Sequence, residues 1–259
     1  MIRSISVATP CYNETASLPD YFSKIVQVRS ELETLGWAVT LLLIDDGSSD
    51  STWSMLEDFS LRQTDVTVVR HPSNLGYGAA IKTAFSLTNT EWLVFVDSDS
   101  NYDQGLIIEL VKKLESSNFA VDVINVSILA PGGSAGYAWH RYWLSSVASL
   151  LYRLSLPGLT KGVYTLTCGF RLYRTQILPS ILPLADDFVA TAEIMLRALK
   201  NKYRLAEFPA SNSKREHGVS KMRFLSVVLG HLRLVARVKL GILGKPPTIE
   251  SHIKRLRST

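Results

Sequence analysis

Cysteine is scarce in this chain: two among 259 residues, Cys11 and Cys168, far apart in sequence. Two cysteines supply neither a disulfide framework nor a zinc spacing. They read as small apolar core residues of a reducing compartment rather than as catalytic thiols. No uncharged apolar run reaches the roughly 20 residues that a membrane-spanning helix needs. The nearest, Phe224 to Gly244, is interrupted by His231, Arg233, Arg237 and Lys239. The opening residues Met1-Ile2-Arg3-Ser4-Ile5-Ser6 turn polar at Thr9 and lack the apolar core of a secretory signal; they read as a first strand. Two nucleotide-binding signatures are also missing. No Gly-x4-Gly-Lys-Ser/Thr loop occurs, which argues against a P-loop nucleotidase. Asn74-Leu75-Gly76-Tyr77-Gly78-Ala79-Ala80 is glycine-rich, but Ile81 stands where the dinucleotide fingerprint needs its third glycine, so a nicotinamide enzyme is rejected too.

What is present is an ordinary globular balance, 46% hydrophobic and 20% charged, in a length suited to one large α/β domain with a modest appendage. Charge is uneven. From Lys214 to Thr259 eleven Lys/Arg face two acids, Glu216 and Glu250, a local charge of +9 within a chain of net +5. The rest is therefore net −4. A basic end interleaved with Leu, Val and Ile rather than with stacking aromatics suits an anionic membrane surface better than nucleic acid. Short β-branched runs at Ile5–Ala8, Val39–Ile44, Val66–Val69, Trp92–Val96 and Val121–Val126 alternate with helical patterns. Ser17–Leu35 is one such pattern, stopped at Gly36. Asp50 is a candidate cap for a helix carrying Trp53, Leu56 and Phe59. Gly78–Leu87, Gly105–Leu114 and Asp187–Leu199 follow. Alternation of this kind predicts a mostly parallel sheet flanked by helices. The expected organisation is one domain over 1–223 and a basic amphipathic, membrane-associating segment over 224–259.

In such sheets ligands bind beyond the carboxyl ends of the strands. Three strand ends carry unusual polar sets: Thr9-Pro10-Cys11-Tyr12-Asn13-Glu14, Asp45-Asp46-Gly47-Ser48-Ser49-Asp50 and Asp97-Ser98-Asp99. If the strands are parallel, all three meet at one edge. An isolated Asp-x-Asp triplet reads as a solvated turn. After a buried strand, and with Asp45-Asp46 in the matching place, it reads as a grip for a divalent cation that also binds a diphosphate. Asp46 is a candidate acceptor for a nucleobase or ribose, Tyr12 for stacking on a base, and Glu14 for a contact to sugar or base. The glycines of the 74–80 segment would let loop and helix start pass close to the bound donor. Arg215-Glu216-His217-Gly218-Val219-Ser220-Lys221 has the charges to clamp a diphosphate, or simply begins the basic face.

Taken together and in order, Thr9–Glu14, Ile44–Thr52, Asn74–Gly78, Asp97-Ser98-Asp99, Cys168-Gly169-Phe170-Arg171, and Arg215 with Gly218–Lys221 resemble glycosyltransferase family 2. They are most similar to its dolichol-phosphate mannosyltransferase and polyprenyl-phosphate sugar synthase branch. The resemblance implies a GT-A fold, a Rossmann-like α/β architecture. It implies a donor site lined by Thr9, Pro10, Tyr12, Glu14, Asp45, Asp46, Gly78, Asp97, Ser98, Arg215 and Lys221. It implies Mg²⁺ or Mn²⁺ on Asp97, Asp99 and Asn101, and it puts Asp99, Asp187, Glu193 and Arg141 in the catalytic set, with Ser145 four residues beyond Arg141. The chain departs from the branch at Ile128, where Arg is usual, at Thr165, where Asp is frequent, and at Tyr102-Asp103, in place of a common His-Pro.

The implied activity is inverting transfer of a hexose from a nucleoside-diphosphate sugar, of GDP-mannose or UDP-glucose type, to a polyprenyl or dolichyl phosphate at the cytoplasmic face of a membrane. An alternative is transfer to a sugar hydroxyl in polysaccharide or lipid-linked oligosaccharide synthesis, with Asp187 or Asp186 as general base. A non-catalytic sugar-nucleotide-binding, membrane-docking protein is a third reading, opposed by the intact acid pair. Nucleic-acid binding is not expected.

Overall fold

The computed structural model describes residues 3–99, 102–135, 139–212 and 224–258, with the side chains of 135, 139–144, 212, 224–225 and 257–258 excluded. Asn101, Arg215 and Lys221 lie outside the described residues, as does the side chain of Arg141.

Nine strands are described: β1 Arg3–Cys11, β2 Trp37–Asp45, β3 Val66–Arg70, β4 Trp92–Phe95, β5 Val123–Ser127, β6 Ser134–Ala135, β7 Arg171–Arg174, β8 Leu205–Pro209 and β9 Ser211–Asn212. The helices are α1 Leu18–Thr34, α2 Thr52–Arg62, α3 Tyr77–Leu87, α4 Leu106–Ser116, α5 Trp139–Ser155, α6 Leu178–Ile181, α7 Val189–Lys200, α8 Phe224–Lys239 and α9 Ile249–Ser258. Seven strands form one sheet in the order β3-β2-β1-β4-β7-β5-β8. Every pairing in it is parallel except those of β7, which runs antiparallel between β4 and β5. The expected mostly parallel α/β sheet is what forms; the single reversed strand is not legible from periodicity, since a buried strand has the same pattern in either direction. β6 and β9 make a separate small ladder.

The strands are apolar on both faces because both are covered. Odd positions Val39, Leu41 and Leu43 of β2 join Ile5, Val7 and Val94 in a core with α1, α2 and α4. Even positions Leu42 and Ile44 join Ala8, Leu93 and Phe95 against α3, α6 and α7. The period-2 alternation thus sorts each strand between two cores. A third cluster lies outside the second helical layer, where Tyr152 of α5, Met195 and Leu196 of α7, and Val227, Leu234 and Val235 of α8 pack together. The segment from 224 onward, expected as a tail, is therefore folded back onto the body. α8 contributes to that third cluster, and α9 lies along α3 with Ile249 against the second core.

Candidate functional site

Strand register brings the three polar sets together. Cys11 pairs with Asp45 and Asp45 with Arg70, so β1, β2 and β3 end level. Ala8 pairs with Phe95, and Val96 N donates to the Ala8 carbonyl at 3.0 Å, which carries Asp97 to the same edge. The first two turns are stitched to each other. Asn13 N donates to Ser48 Oγ at 2.9 Å, Ser49 N to Asn13 Oδ1 at 2.8 Å, and Glu14 N to Thr52 Oγ1 at 2.7 Å. Asn13 holds the left-handed φ of 52° that this turn needs. Asp50 accepts Thr52 N at 3.0 Å, but Ser51 holds the cap position of α2, so Asp50 stands one residue ahead of the place expected of it.

At this edge the carboxylates divide into anchors and site groups. Asp45 is fully buried; its Oδ1 accepts Ser48 N at 3.1 Å, and its Oδ2 faces Arg70 Nε at 3.1 Å as an ion pair lacking hydrogen-bond alignment. Asp46, expected to reach base or ribose, is committed inward. Its Oδ1 accepts His71 Nδ1 at 2.7 Å and Leu75 N at 2.9 Å, and its Oδ2 accepts Gly76 N at 2.9 Å. That is a correction: both oxygens are spent on anchoring the loop ahead of α3. Thr9 is likewise turned to the core, its hydroxyl 2.6 Å from Tyr21 Oη. Pro10, Tyr12 and Glu14 remain part-exposed at the edge, with Glu14 Oε2 accepting Ser17 Oγ at 2.7 Å.

Asp97 is half-buried and Asp99 buried, with Ser98 between them. Asp97 Oδ1 accepts the hydroxyl of Tyr77 at 2.8 Å. The sequence carries Tyr77 only as part of the glycine-rich 74–80 segment, with no role of its own. Its ring stacks on Phe188 at 4.8 Å and meets Phe95 edge-on at 5.7 Å. Burial, then the Asp97 charge, holds its phenol well above the ordinary range, so it stays a donor. A Cβ at Gly169 would overlap the Tyr77 hydroxyl, which gives the glycine of Cys168-Gly169-Phe170-Arg171 its reason.

The glycines before and in α3 serve a different neighbour than expected. Gly76 has φ +102°, and a Cβ there would overlap the Asp186 carbonyl; one at Gly78 would lie 2.5 Å from the Ala185 carbonyl oxygen and 2.7 Å from Ala190 Cβ. Gly78 N donates to Asp186 O at 2.7 Å. These residues admit the 184–188 loop, which gives the glycines a packing reason independent of any donor contact.

That loop is itself built from below. Glu193 is 1% exposed and accepts Leu184 N and Ala185 N, each at 3.0 Å, together with Arg197 Nε at 2.9 Å and Nη2 at 2.7 Å. With four donors on two oxygens Glu193 positions the loop, whatever its place in the catalytic set. Asp186 is paired with Lys82 and with Arg255 Nη1 at 2.9 Å. Burial pushes its carboxyl up, but these two cations outweigh burial and hold it below the usual range, which removes Asp186 as a base. Asp187 is exposed and accepts Val189 N at 2.9 Å. Beside it Tyr152 Oη lies 2.7 Å from His231 Nδ1; burial raises that phenol and lowers that imidazole.

The family-like Arg171 is also a strut. Fully buried, it donates to Asn125 Oδ1, the Thr191 carbonyl and the Leu166 carbonyl, each at 2.7 Å. Where the branch carries charge, this chain has the neutral pair Ser127 Oγ and Thr165 Oγ1 at 2.7 Å, with Ile128 buried beside it. Ser145 Oγ lies 2.9 Å from Thr167 Oγ1. Cys11 and Cys168 are both buried free thiols, pushed up by desolvation, which leaves them unreactive.

Among the described residues no group of three or more His, Cys, Asp or Glu gathers as a metal site. A pair of hard carboxylates at an open edge nonetheless fits an ion that takes its remaining ligands from diphosphate and water, as Mg²⁺ does.

Comparison with known proteins identifies the family and the fold. The family described as Glycosyl transferase family 2 matches residues 6–182. Polyprenol monophosphomannose synthase of Mycolicibacterium smegmatis is 30% identical over 229 residues, 83% of this chain and 80% of that protein. Glucosyl-3-phosphoglycerate synthase of Mycobacterium tuberculosis shares the fold. One structure has TM-score 0.68 at 18% identity, covering 96% of this chain and 92% of that one. Another, in complex with Mn²⁺, uridine diphosphate and glucosyl-3-phosphoglycerate, has TM-score 0.64 at 20% identity, covering 95% and 81%. The chain is thus a member of glycosyltransferase family 2, a glycosyltransferase of the GT-A fold.

Proposed function

We propose that this glycosyltransferase moves a hexose from a nucleoside-diphosphate sugar to a polyprenyl phosphate at a membrane surface, with inversion at the anomeric carbon. The observation that carries the donor half is the Asp97–Asp99 pair, level with the Pro10–Glu14 and Asp45–Asp50 turns and fixed by Tyr77. Asp97 and Asp99 would hold Mg²⁺ or Mn²⁺, which when bound offsets charge on the leaving diphosphate. Asn101, Arg215 and Lys221 are proposed to complete the metal and phosphate contacts, and Arg141 to contact the phosphates near Ser145.

The acceptor half is supported by the polyprenol relative and, among the described residues, by the commitments of the two candidate bases. A phosphate monoester with second pKa of about 6 is largely ionised near neutral pH. Its oxygen attacks the anomeric carbon; the bond to the diphosphate breaks, and the electron pair leaves with the nucleoside diphosphate. No proton needs removal. Asp186 is locked by two cations and Asp187 spends one oxygen on α7.

The membrane half is supported by an apolar face. Val147, Leu150 and Leu154 of α5 lie exposed at helical spacing, and α8, which packs on α5, exposes Leu229 and Leu232, as the chain beyond it does Leu240 and Ile242, with Arg153, Arg233, Arg237 and Lys239 close in sequence. Apolar side chains among cations match an anionic lipid interface. Among the described residues no helix is long and apolar enough to cross a membrane.

The test is transfer from radiolabelled GDP-mannose and UDP-glucose, each with Mn²⁺, to polyprenyl phosphate. Lipid-extractable label, lost in Asp99→Ala, is expected; turnover unchanged in Asp99→Ala would overturn the metal site. The exposed position of Asp187 favours one second reading, a sugar hydroxyl acceptor with Asp187 as base. Asp187→Asn should cost less than about tenfold with a phosphate acceptor, and 10²-fold or more if a base is needed.

A further inference from the structure

The C-terminal helix α9 reaches the donor edge by two routes, and both end on the same five residues. The first is a buried polar chain. His252 Nε2 lies 3.0 Å from Thr83 Oγ1, Thr83 Oγ1 lies 2.8 Å from His71 Nε2, and His71 Nδ1 lies 2.7 Å from Asp46 Oδ1. All four side chains are nearly or fully buried. The carboxylate end sets the direction of the protons. Asp46 can only accept, so His71 Nδ1 donates. In the His71 tautomer with its hydrogen on Nδ1 alone, Nε2 accepts from the Thr83 hydroxyl, and the Thr83 oxygen accepts from His252 Nε2–H. This order satisfies every member, and a half-satisfied buried chain is costly. Its far end holds the loop: Asp46 accepts Leu75 N and Gly76 N at 2.9 Å each.

The second route runs through Asp186. Arg255 Nη1 donates to Asp186 Oδ2 at 2.9 Å, and Lys82 takes the other oxygen. The main-chain carbonyl of that same Asp186 accepts Gly78 N at 2.7 Å and Ala79 N at 3.3 Å. Between the two anchored ends sits Tyr77, whose hydroxyl donates to Asp97.

We propose that α9 is a positioning element of the donor site: His252 and Arg255 fix the Leu75–Ala79 turn, and through Tyr77 they set the orientation of Asp97. This rests on reading the Asp97 edge as the donor site. Neither residue touches the donor. They act through contacts 169 residues apart in sequence for Thr83–His252 and 69 for Asp186–Arg255, so the chain's last helix is needed to shape a loop near its first third.

The experiment uses the full chain with His252→Ala, His252→Gln and Arg255→Met. Two readouts are taken: calorimetric binding of GDP and of UDP, each with Mn²⁺, and amide hydrogen exchange across Leu75–Ala79. His252→Ala should weaken the bound nucleotide by roughly three- to tenfold and speed exchange at Leu75 and Gly76. His252→Gln, which keeps an N–H near the Nε2 position, should restore both. Arg255→Met, at the exposed end, should speed exchange at Gly78 and Ala79, and it keeps the test open if His252→Ala does not fold. Unchanged affinity and unchanged exchange in folded variants would overturn the proposal, even if their melting temperatures fall. A wild-type chain that binds neither nucleotide would instead sink the donor-site reading, while exchange would still report whether α9 holds the loop.

Discussion

Replacing Tyr77 by Phe removes one oxygen and tests the centre of the site. The ring keeps its stack on Phe188 at 4.8 Å and its edge contact with Phe95 at 5.7 Å, so packing is preserved. What goes is the 2.8 Å hydrogen bond to Asp97 Oδ1. A hydrogen bond to a charged group contributes about 1.5–3 kcal/mol, and loss of a group that orients a metal ligand typically costs about 10- to 100-fold in metal affinity. The two figures agree, since tenfold corresponds to about 1.4 kcal/mol. Tyr77→Phe should therefore raise the Mn²⁺ concentration for half-maximal transfer by one to two orders of magnitude, roughly. Global stability should move by only about 1 kcal/mol, because Asp97 is half-buried and water can replace the hydroxyl. The assay is a Mn²⁺ titration of transfer, paired with free-Mn²⁺ electron paramagnetic resonance in the presence of GDP. A half-saturating Mn²⁺ concentration within twofold of wild type would refute the idea that Tyr77 orients a metal ligand.

Three further outcomes are expected. Gly78→Ala puts a methyl 2.5 Å from the Ala185 carbonyl oxygen and should destabilise the fold by about 1–3 kcal/mol in urea unfolding; a neutral result would mean that the 184–188 loop is not packed on α3. Burial, then the nearby Lys82 and His71, pushes His252 down to about 4, and Asp186 opposes while Arg255 adds to the shift. A depressed folded pKa means that stability is intact above 6.5 and lost as pH falls towards 4. Melting temperature should thus drop less steeply over that window in His252→Gln than in wild type, and parallel pH profiles would contradict this. Leu150→Asp combined with Leu232→Asp changes two half-exposed side chains. It should leave stability nearly unchanged but cut co-sedimentation with phosphatidylglycerol vesicles at least tenfold, since each buried leucine contributes about 1.5–3 kcal/mol; undiminished sedimentation would move the membrane face elsewhere.

The sequence alone determined a good deal. Period-2 apolar runs and their alternation with helical spacing specified the α/β sheet, because a strand covered on both faces and an amphipathic helix leave different local marks. The ordered polar sets at Thr9–Glu14, Asp45–Asp50 and Asp97–Asp99 marked the sheet edge at which they gather, since a strand end is a local feature. The tertiary structure decided which of those polar groups face outward. Asp46 and Glu193 look like site carboxylates in sequence, yet their oxygens are filled by main-chain N–H groups and by His71 or Arg197. Tyr77 has no role of its own in the glycine-rich segment that carries it, yet it touches Asp97. The residues beyond 224 read as a basic tail, yet α8 and α9 are built into the body, with His252 buried against Thr83. Satisfaction of a buried polar atom is settled by partners that are distant in the chain, so no local pattern records it.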